Sequence, residues 1–81
     1  MVLNKAFALR VNRMLEEKKM SKYKLEKITG ISHGTFRNIF SEVNKDLKFS
    51  TMAKIIHALD MTIPEFFNDK LFDFANLEYE Y

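Results

Sequence analysis

The chain is 81 residues long, which is the size of one small domain. It has no cysteine, so the sequence excludes a disulfide framework and a thiolate metal site. Residues 1–68 hold 12 Lys or Arg against 7 Asp or Glu, whereas residues 69–81 hold 1 against 4. This uneven charge indicates a basic surface for a polyanion and an acidic tail that lies elsewhere, with ordinary surface charge as the alternative.

The first predicted helix covers residues 3–18. Its apolar residues recur at spacings of three and four, as on the core-facing side of an amphipathic helix: Leu3, Phe7, Val11, Met14 and Leu15. Charged residues interrupt the same stretch, so we expect a helix here rather than a signal peptide. No apolar run approaches the roughly 20 residues of a membrane span. Because the absence of cysteine also fits a reducing cytosol, we expect a cytoplasmic protein with no membrane association.

Two short helices joined by a tight turn are predicted between residues 21 and 40. Ser21 and Ser32 are placed to cap them, because a serine hydroxyl accepts a hydrogen bond from an N–H of the first turn. Gly30 stands where the first helix must stop, and glycine tolerates the left-handed conformation that such a stop needs. Two capped helices with glycine in the turn are typical of a helix-turn-helix.

The second helix of this motif has two different faces. At roughly 100° per residue, three apolar residues fall on one side, and we expect them in the core: Phe36, Ile39 and Phe40. The other side carries only small, polar or basic groups: His33, Gly34, Arg37, Asn38 and Ser41. From the first helix of the motif, we expect Leu25 and Ile28 to face the core.

Residues 41–49 show no clear period and are predicted to form a loop. A fourth helix is predicted to begin with Ser50 as its cap and to end near Asp60. Its apolar residues follow the i, i+3, i+4, i+7 pattern: Met52, Ile55, Ile56 and Leu59.

Thr62 and Glu65 predict a capping box at the start of a fifth helix, with Phe66 and Phe67 as its core contacts. Pro64 lies within the first turn, where proline is tolerated. The fold class is therefore all-α, with five helices in residues 1–68 and no strand within them.

Residues 69–81 form a tail that is too apolar for a free terminus. The alternation at residues 77–81 is typical of an exposed strand, so the tail is predicted to be extended or strand-like. Three interpretations stay open: the tail covers the core, makes a dimer contact, or is disordered. The residues of the dimer contact would be Leu71, Phe72, Phe74, Tyr79 and Tyr81.

In combination, these elements resemble the small Cro/phage-repressor-type (XRE-like) helix-turn-helix regulators. The resemblance covers about residues 5–68 and rests on the stretches SKYKLEKITGISHGTFRNIF and KIIHALDMTIPEFF. The residues that carry it are Leu25, the turn Gly30-Ile31-Ser32, Phe36, Ile39, the sequence Ala58-Leu59-Asp60-Met61 before Thr62, and Phe66-Phe67. The resemblance implies a compact five-helix repressor-type domain that binds double-stranded operator DNA, usually as a homodimer on an inverted repeat.

Three departures from the family pattern affect how the motif packs. Glu26 stands where family members commonly have a small residue, so we expect its side chain to lean outward toward Lys22. Phe40 stands where many members have an acid paired with an arginine, and we expect an apolar contact with Met14 and Leu15 instead. The loop after the motif is also longer than the commonest form, which leaves the dimer geometry open.

The second helix of the motif is expected to enter the DNA major groove by its N-terminal end. The candidate base readers are therefore the residues on its polar side: His33, Gly34, Arg37 and Asn38. Arg37 suits guanine O6 and N7, and Asn38 suits adenine N6 and N7. His33 can donate or accept a hydrogen bond, whereas Gly34 would let the backbone come close to the DNA.

Other residues are predicted to contact the DNA backbone. Ser21 and Lys22 begin the first helix of the motif, where the positive helix end favours a phosphate. The remaining candidates are Thr35, Ser41, Asn44, Lys45 and Lys48. For each lysine, the alternative is a solvated surface charge.

An enzyme is not expected, because the only histidines are His33 and His57 and neither has a pair of carboxylates opposite it at helical spacing. We likewise expect no metal, cofactor or small-molecule ligand. The competing function is a protein-binding module on the same fold, such as an antirepressor, an antitoxin or an inhibitor. Its aromatic tail would then be the contact surface.

Overall fold

The computed structural model of the protein describes residues 1–41 and 47–77. Within them the chain forms five α-helices: α1 (Leu3–Lys18), α2 (Lys22–Thr29), α3 (His33–Ile39), α4 (Phe49–Ala58) and α5 (Ile63–Phe67). Two short 3-10 turns follow, at Lys70–Phe72 and Phe74–Asn76. The described residues contain no β-strand, so the all-α prediction is confirmed. None of these helices is long and apolar enough to cross a membrane.

The ends of α2 and α3 form as the sequence predicts. The Ser21 hydroxyl accepts a hydrogen bond from the backbone N–H of Lys24 at 3.0 Å. The Ser32 hydroxyl accepts from the backbone N–H of Thr35 at 3.3 Å. Gly30 ends α2 with a φ of 68°, in the left-handed region that favours glycine. These three residues set the length of α2 and the point at which α3 begins.

The fourth helix begins earlier than predicted. Lys48 precedes α4, and its carbonyl accepts hydrogen bonds from the backbone N–H groups of Thr51 and Met52 at 3.0 and 3.1 Å. Ser50 therefore lies inside the first turn and does not cap the helix. The prediction of Ser50 as the cap was wrong because the backbone N–H groups already find the Lys48 carbonyl.

The capping box of α5 is confirmed. The backbone N–H of Thr62 donates to the Glu65 side chain at 2.9 Å, and the backbone N–H of Glu65 donates to the Thr62 hydroxyl at 3.2 Å. The bond from the Thr62 backbone lowers the pKa of the Glu65 carboxyl below its ordinary value, because it stabilises the ionised form.

All five helices contribute apolar side chains to one core. Its buried members are Phe7, Val11, Met14, Leu15, Leu25, Phe36, Ile39, Ile55, Ile56, Leu59 and Phe66. Leu3 and Ile28 were expected in this core, but they are 47% and 52% exposed. Leu3 lies in the first turn of α1, at the edge of the packed helices. In α2 the half-buried positions after Leu25 are Glu26 and Thr29, so the buried side of the helix turns away from Ile28.

Arg10 and Arg13 join α1 to α5 and to the segment after it. The Arg10 Nε donates to the Phe66 carbonyl at 2.9 Å. Arg13 Nη1 lies 2.6 Å and Arg10 Nη1 lies 3.5 Å from Asp69 Oδ2. The other carboxylate oxygen of Asp69 accepts from the backbone N–H of Leu71 at 2.9 Å. This network holds the first 3-10 turn against α1.

The described part of the tail folds back onto the core. The Phe72 ring lies 4.8 Å from the Phe67 ring and 6.1 Å from the Phe66 ring, measured between centroids. Residues 70–72 and 74–76 form the two 3-10 turns and are therefore not strand-like, whereas the alternation that predicts a strand lies at residues 77–81, of which only Leu77 is among the described residues. The backbone N–H of Leu71 donates to the Asp69 carboxylate and so begins the first turn. This N–H is therefore not available for pairing with a neighbouring strand. Tyr79 and Tyr81 lie outside the described residues.

We predict that Asp69 makes the protein sensitive to acid. The bond from the Leu71 backbone, followed by the Arg13 and Arg10 charges, holds the pKa of the Asp69 carboxyl below its ordinary value. A carboxyl whose pKa is lowered by folding stabilises the protein above the unfolded-state pKa of about 4, and this contribution disappears as the pH falls through the folded-state value. Asp69→Asn should therefore lower the denaturant midpoint near neutral pH, and the difference from wild type should shrink in acid.

The measurement is urea unfolding followed by circular dichroism, from about neutral pH down to about pH 2. Asp73→Asn is the matched control, because the Asp73 carboxylate makes no hydrogen bond or ion pair within the described residues. A difference between wild type and Asp69→Asn that is the same at every pH would contradict the role given to Asp69.

Candidate nucleic-acid interface

One side of α3 is polar and exposed, as the sequence predicts. Its four residues, which we call the polar face of α3, are His33, Gly34, Arg37 and Asn38, and all four are exposed. On the opposite side Phe36 and Ile39 are 3% and 2% exposed. The helix therefore presents hydrogen-bonding side chains to solvent while its apolar side lies in the core.

Glu26 points toward α3 and not toward Lys22. Its Oε1 lies 2.9 Å from the Nδ1 of His33. The Glu26 side chain is 16% exposed and the His33 side chain 71% exposed. The expected direction was wrong, because the turn between the helices brings His33 within reach while Lys22 lies over another partner. The Glu26 carboxylate of α2 thus contacts one residue of the polar face of α3.

The partner of Lys22 is the ring of Phe40. The Lys22 Nζ lies 4.3 Å from the Phe40 ring centroid, which is a cation–π contact. Phe36 packs edge-on against the same ring, with centroids 5.3 Å apart. Phe40 itself is half-buried against the core to which Met14 and Leu15 belong. Phe40 thus packs against the apolar core, and its ring also contacts the Lys22 ammonium group, which the sequence did not predict.

A groove of about 440 Å³ lies between α2 and α3, and we call it the interhelical groove. It is lined by Lys22, Tyr23, Glu26, His33, Phe36, Arg37 and Phe40. Tyr23 is 69% exposed, and Lys27 Nζ lies 5.1 Å from its ring centroid. Sequence reasoning did not include Tyr23 in the site. A helical wheel of α2 could have found it, because Tyr23 lies nearly opposite the buried Leu25.

The hydroxyl groups predicted to contact the DNA backbone have partners inside the chain. The Ser21 hydroxyl caps α2 through Lys24. The Thr35 hydroxyl accepts a hydrogen bond from the Ser32 hydroxyl at 2.9 Å. Both side chains are exposed, and each lies in the first turn or at the cap of its helix. A phosphate at either position would therefore meet an ordered hydroxyl group.

The remaining backbone-contact candidates follow α3. Ser41 is half-buried two residues after the end of α3, and Lys48 is exposed at the start of α4. Asn44 and Lys45 lie outside the described residues. The structure thus positions the two ends of this loop.

Gly34 is not required by the packing of α3. A Cβ built at this position would meet no atom within 4 Å. Its φ is not in the left-handed region, in contrast to Gly30. A glycine inside a helix reduces stability by up to about 1 kcal/mol relative to alanine. Neither packing nor backbone conformation therefore requires glycine at this position. Glycine also allows the backbone to approach a ligand closely, and that role remains for Gly34.

The chemistry of the site consists of hydrogen-bonding groups and cations. Within the described ranges, no group of three or more His, Asp or Glu residues is arranged to hold a metal ion. A capped helix that exposes Arg37 and Asn38 from the end of a glycine-containing turn is the arrangement of a helix-turn-helix DNA-binding domain.

Comparison with known proteins agrees with this class. Residues 10–70 match the family model of the Cro/C1-type HTH DNA-binding domain. The chain therefore belongs to the family of Cro/C1-type helix-turn-helix DNA-binding domains. No curated protein and no solved structure gives a significant match.

We predict that Gly34→Ala stabilises the protein by up to about 1 kcal/mol, because alanine loses less backbone entropy on folding and its methyl group meets open space. The measurement is the free energy of unfolding in urea. Gly30→Ala is the contrasting variant and should destabilise by about 1–2 kcal/mol, since its φ of 68° disfavours a side chain. Destabilisation by Gly34→Ala would show that Gly34 has a structural role.

Proposed function

We propose that the protein is a repressor of the phage or mobile-element type that reads operator DNA through α3. Membership of the Cro/C1-type family makes it a DNA-binding transcription regulator. The observation that carries the finer proposal is the polar face of α3, which is exposed and stands on a buried apolar side. In this proposal α3 enters the major groove by its N-terminal end, as in other helix-turn-helix proteins.

Arg37 and Asn38 carry the proposed base reading. A guanidinium can donate two parallel hydrogen bonds to guanine O6 and N7, and a side-chain amide can pair with adenine N6 and N7. Both residues are exposed on the same side of α3. Gly34 lies one turn before Asn38, and its missing side chain would let the helix backbone approach the bases.

Phosphate contacts surround the proposed reading face. Ser21 and Lys22 begin α2, and backbone N–H groups at a helix start favour an anion. Lys22 would bind a phosphate by leaving or sharing its contact with the Phe40 ring. Thr35, Ser41 and Lys48, together with Asn44 and Lys45, complete the proposed set. These contacts provide affinity without sequence preference.

We further propose that the protein acts as a homodimer on an inverted repeat, because such domains bind two half-sites related by two-fold symmetry. Phe72 packs on Phe66 and Phe67 within the same chain. A dimer contact through the tail would therefore use Leu71, which is half-buried, and Phe74, which is 77% exposed, with Tyr79 and Tyr81 beyond. Sedimentation of the protein with and without operator DNA tests this assembly.

The experiment that tests the proposal is selection from a random duplex library, followed by a salt titration of the enriched site. A repressor of this kind should enrich an inverted repeat, and its affinity should fall steeply as the salt concentration rises. Weak binding to every duplex that does not depend on salt would reject the proposal and favour a protein-binding module on the same fold.

We predict that Arg37→Ala reduces affinity for the enriched site by about 1–3 kcal/mol and relaxes the preference at one base pair. Lys48→Ala is the matched control for loss of one positive charge. It should weaken binding to all sequences alike and reduce the salt slope by about 1. Equal losses of Arg37→Ala on enriched and random DNA would show that Arg37 does not read a base.

A further inference from the structure

Glu26 and His33 form a side-chain hydrogen bond between α2 and α3. Glu26 Oε1 lies 2.9 Å from His33 Nδ1. The Glu26 side chain is 16% exposed, whereas the His33 side chain is 71% exposed. The acid is thus held inside the interhelical groove while the imidazole ring stays at the surface. This contact occupies one ring nitrogen of a residue on the polar face of α3.

The contact determines which ring nitrogen carries the proton. An ionised carboxylate only accepts hydrogen bonds, so the Nδ1 of His33 must donate to Glu26. A neutral imidazole has a single N–H, and when Nδ1 holds it, Nε2 is an acceptor. No described residue donates a hydrogen bond to His33 Nε2. The exposed nitrogen therefore offers a lone pair to whatever α3 approaches.

We propose that Glu26 is a positioning residue that fixes this tautomer, so that His33 accepts a hydrogen bond from a base-edge donor. In the major groove the donors are adenine N6 and cytosine N4, so the inference predicts adenine or cytosine on the strand that faces His33. The inference rests on the proposed function, because it needs α3 in the major groove. It adds a specificity determinant on α2 to the readers on α3.

The neighbours of the pair support this role. Lys22 lies one turn before Glu26, but its Nζ is over the Phe40 ring, so His33 is the partner that Glu26 has within the described residues. Arg37 lies four residues after His33 and therefore on the same side of α3. Arg37 offers only donors, which suit guanine, whereas His33 offers an acceptor. Two adjacent readers of opposite chemistry distinguish more sequences than two donors would.

The first test reads the tautomer without DNA. The nitrogen-15 NMR spectrum of the ring at about pH 8 distinguishes a protonated nitrogen from a bare one. Wild-type protein should show His33 protonated at Nδ1 and bare at Nε2. Glu26→Ala should lose this preference, whereas Glu17→Ala should keep it. Glu17 is the control, because it is a helical glutamate too, but it is exposed and lies on α1. A wild-type ring protonated at Nε2 would overturn the proposal.

The second test measures base preference on the site enriched by the wild-type protein. Removing the exocyclic amino group of the base facing His33 should weaken wild-type binding about twofold to tenfold, which is the effect of one hydrogen bond. The same change should leave Glu26→Ala almost unaffected. Glu26→Ala and Glu17→Ala each remove one negative charge, so both should bind all DNA somewhat more tightly, and only the first should change the preferred base.

The two tests separate the inference from the proposed function. Enrichment of an inverted repeat with an unchanged base preference in Glu26→Ala would overturn the role of Glu26 and leave the repressor function standing. Failure of wild-type protein to enrich any sequence would overturn both, even with the expected tautomer. Thermal unfolding of each variant confirms that it is folded, and the wild-type spectrum does not depend on any variant.

Discussion

Burial of Phe36 and Ile39 is the constraint on which the polar face of α3 depends. The helix has only seven residues, and an isolated helix of that length is not stable in water. Its formation and its rotation therefore come from two side chains that lie in the core. Because successive residues turn by roughly 100°, holding these two inward also holds Arg37 and Asn38 outward. The exposed chemistry of the polar face of α3 thus depends on apolar residues that lie on the opposite side of the helix.

The packing of α2 against α3 also determines which charged side chains lie next to the polar face of α3. Many DNA-binding surfaces exclude acids because phosphates repel them, yet Glu26 lies within the interhelical groove. Its side chain is mostly buried, and its carboxylate accepts a hydrogen bond from the His33 imidazole. Lys22 is held at the Phe40 ring instead of neutralising Glu26. Each of these contacts keeps a side chain ordered before DNA arrives, which lowers the entropy lost on binding.

Features that depend on neighbouring residues could be predicted from the sequence, whereas contacts across the fold could not. The caps at Ser21 and Ser32 need only the first turn of their own helices, and both formed as expected. Glu26 was assigned to the wrong partner because its real one depends on how two helices meet across a turn. The contact between Arg10 and Asp69 joins opposite ends of the chain, and no local period encodes it. Ile28 was misplaced because the buried side of α2 runs through Leu25, Glu26 and Thr29 and leaves Ile28 exposed.

The contacts of the first 3-10 turn also show that the folded unit extends beyond residue 68. A boundary after residue 68 follows from the helix pattern, yet Asp69 and Phe72 lie just beyond it. A fragment that stopped there would retain all the described α-helices but would leave Arg13 without its carboxylate partner. It would also uncover the side of Phe66 that the Phe72 ring now faces. Uncovered aromatic surface promotes self-association, so a shortened fragment could form dimers that have nothing to do with operator symmetry.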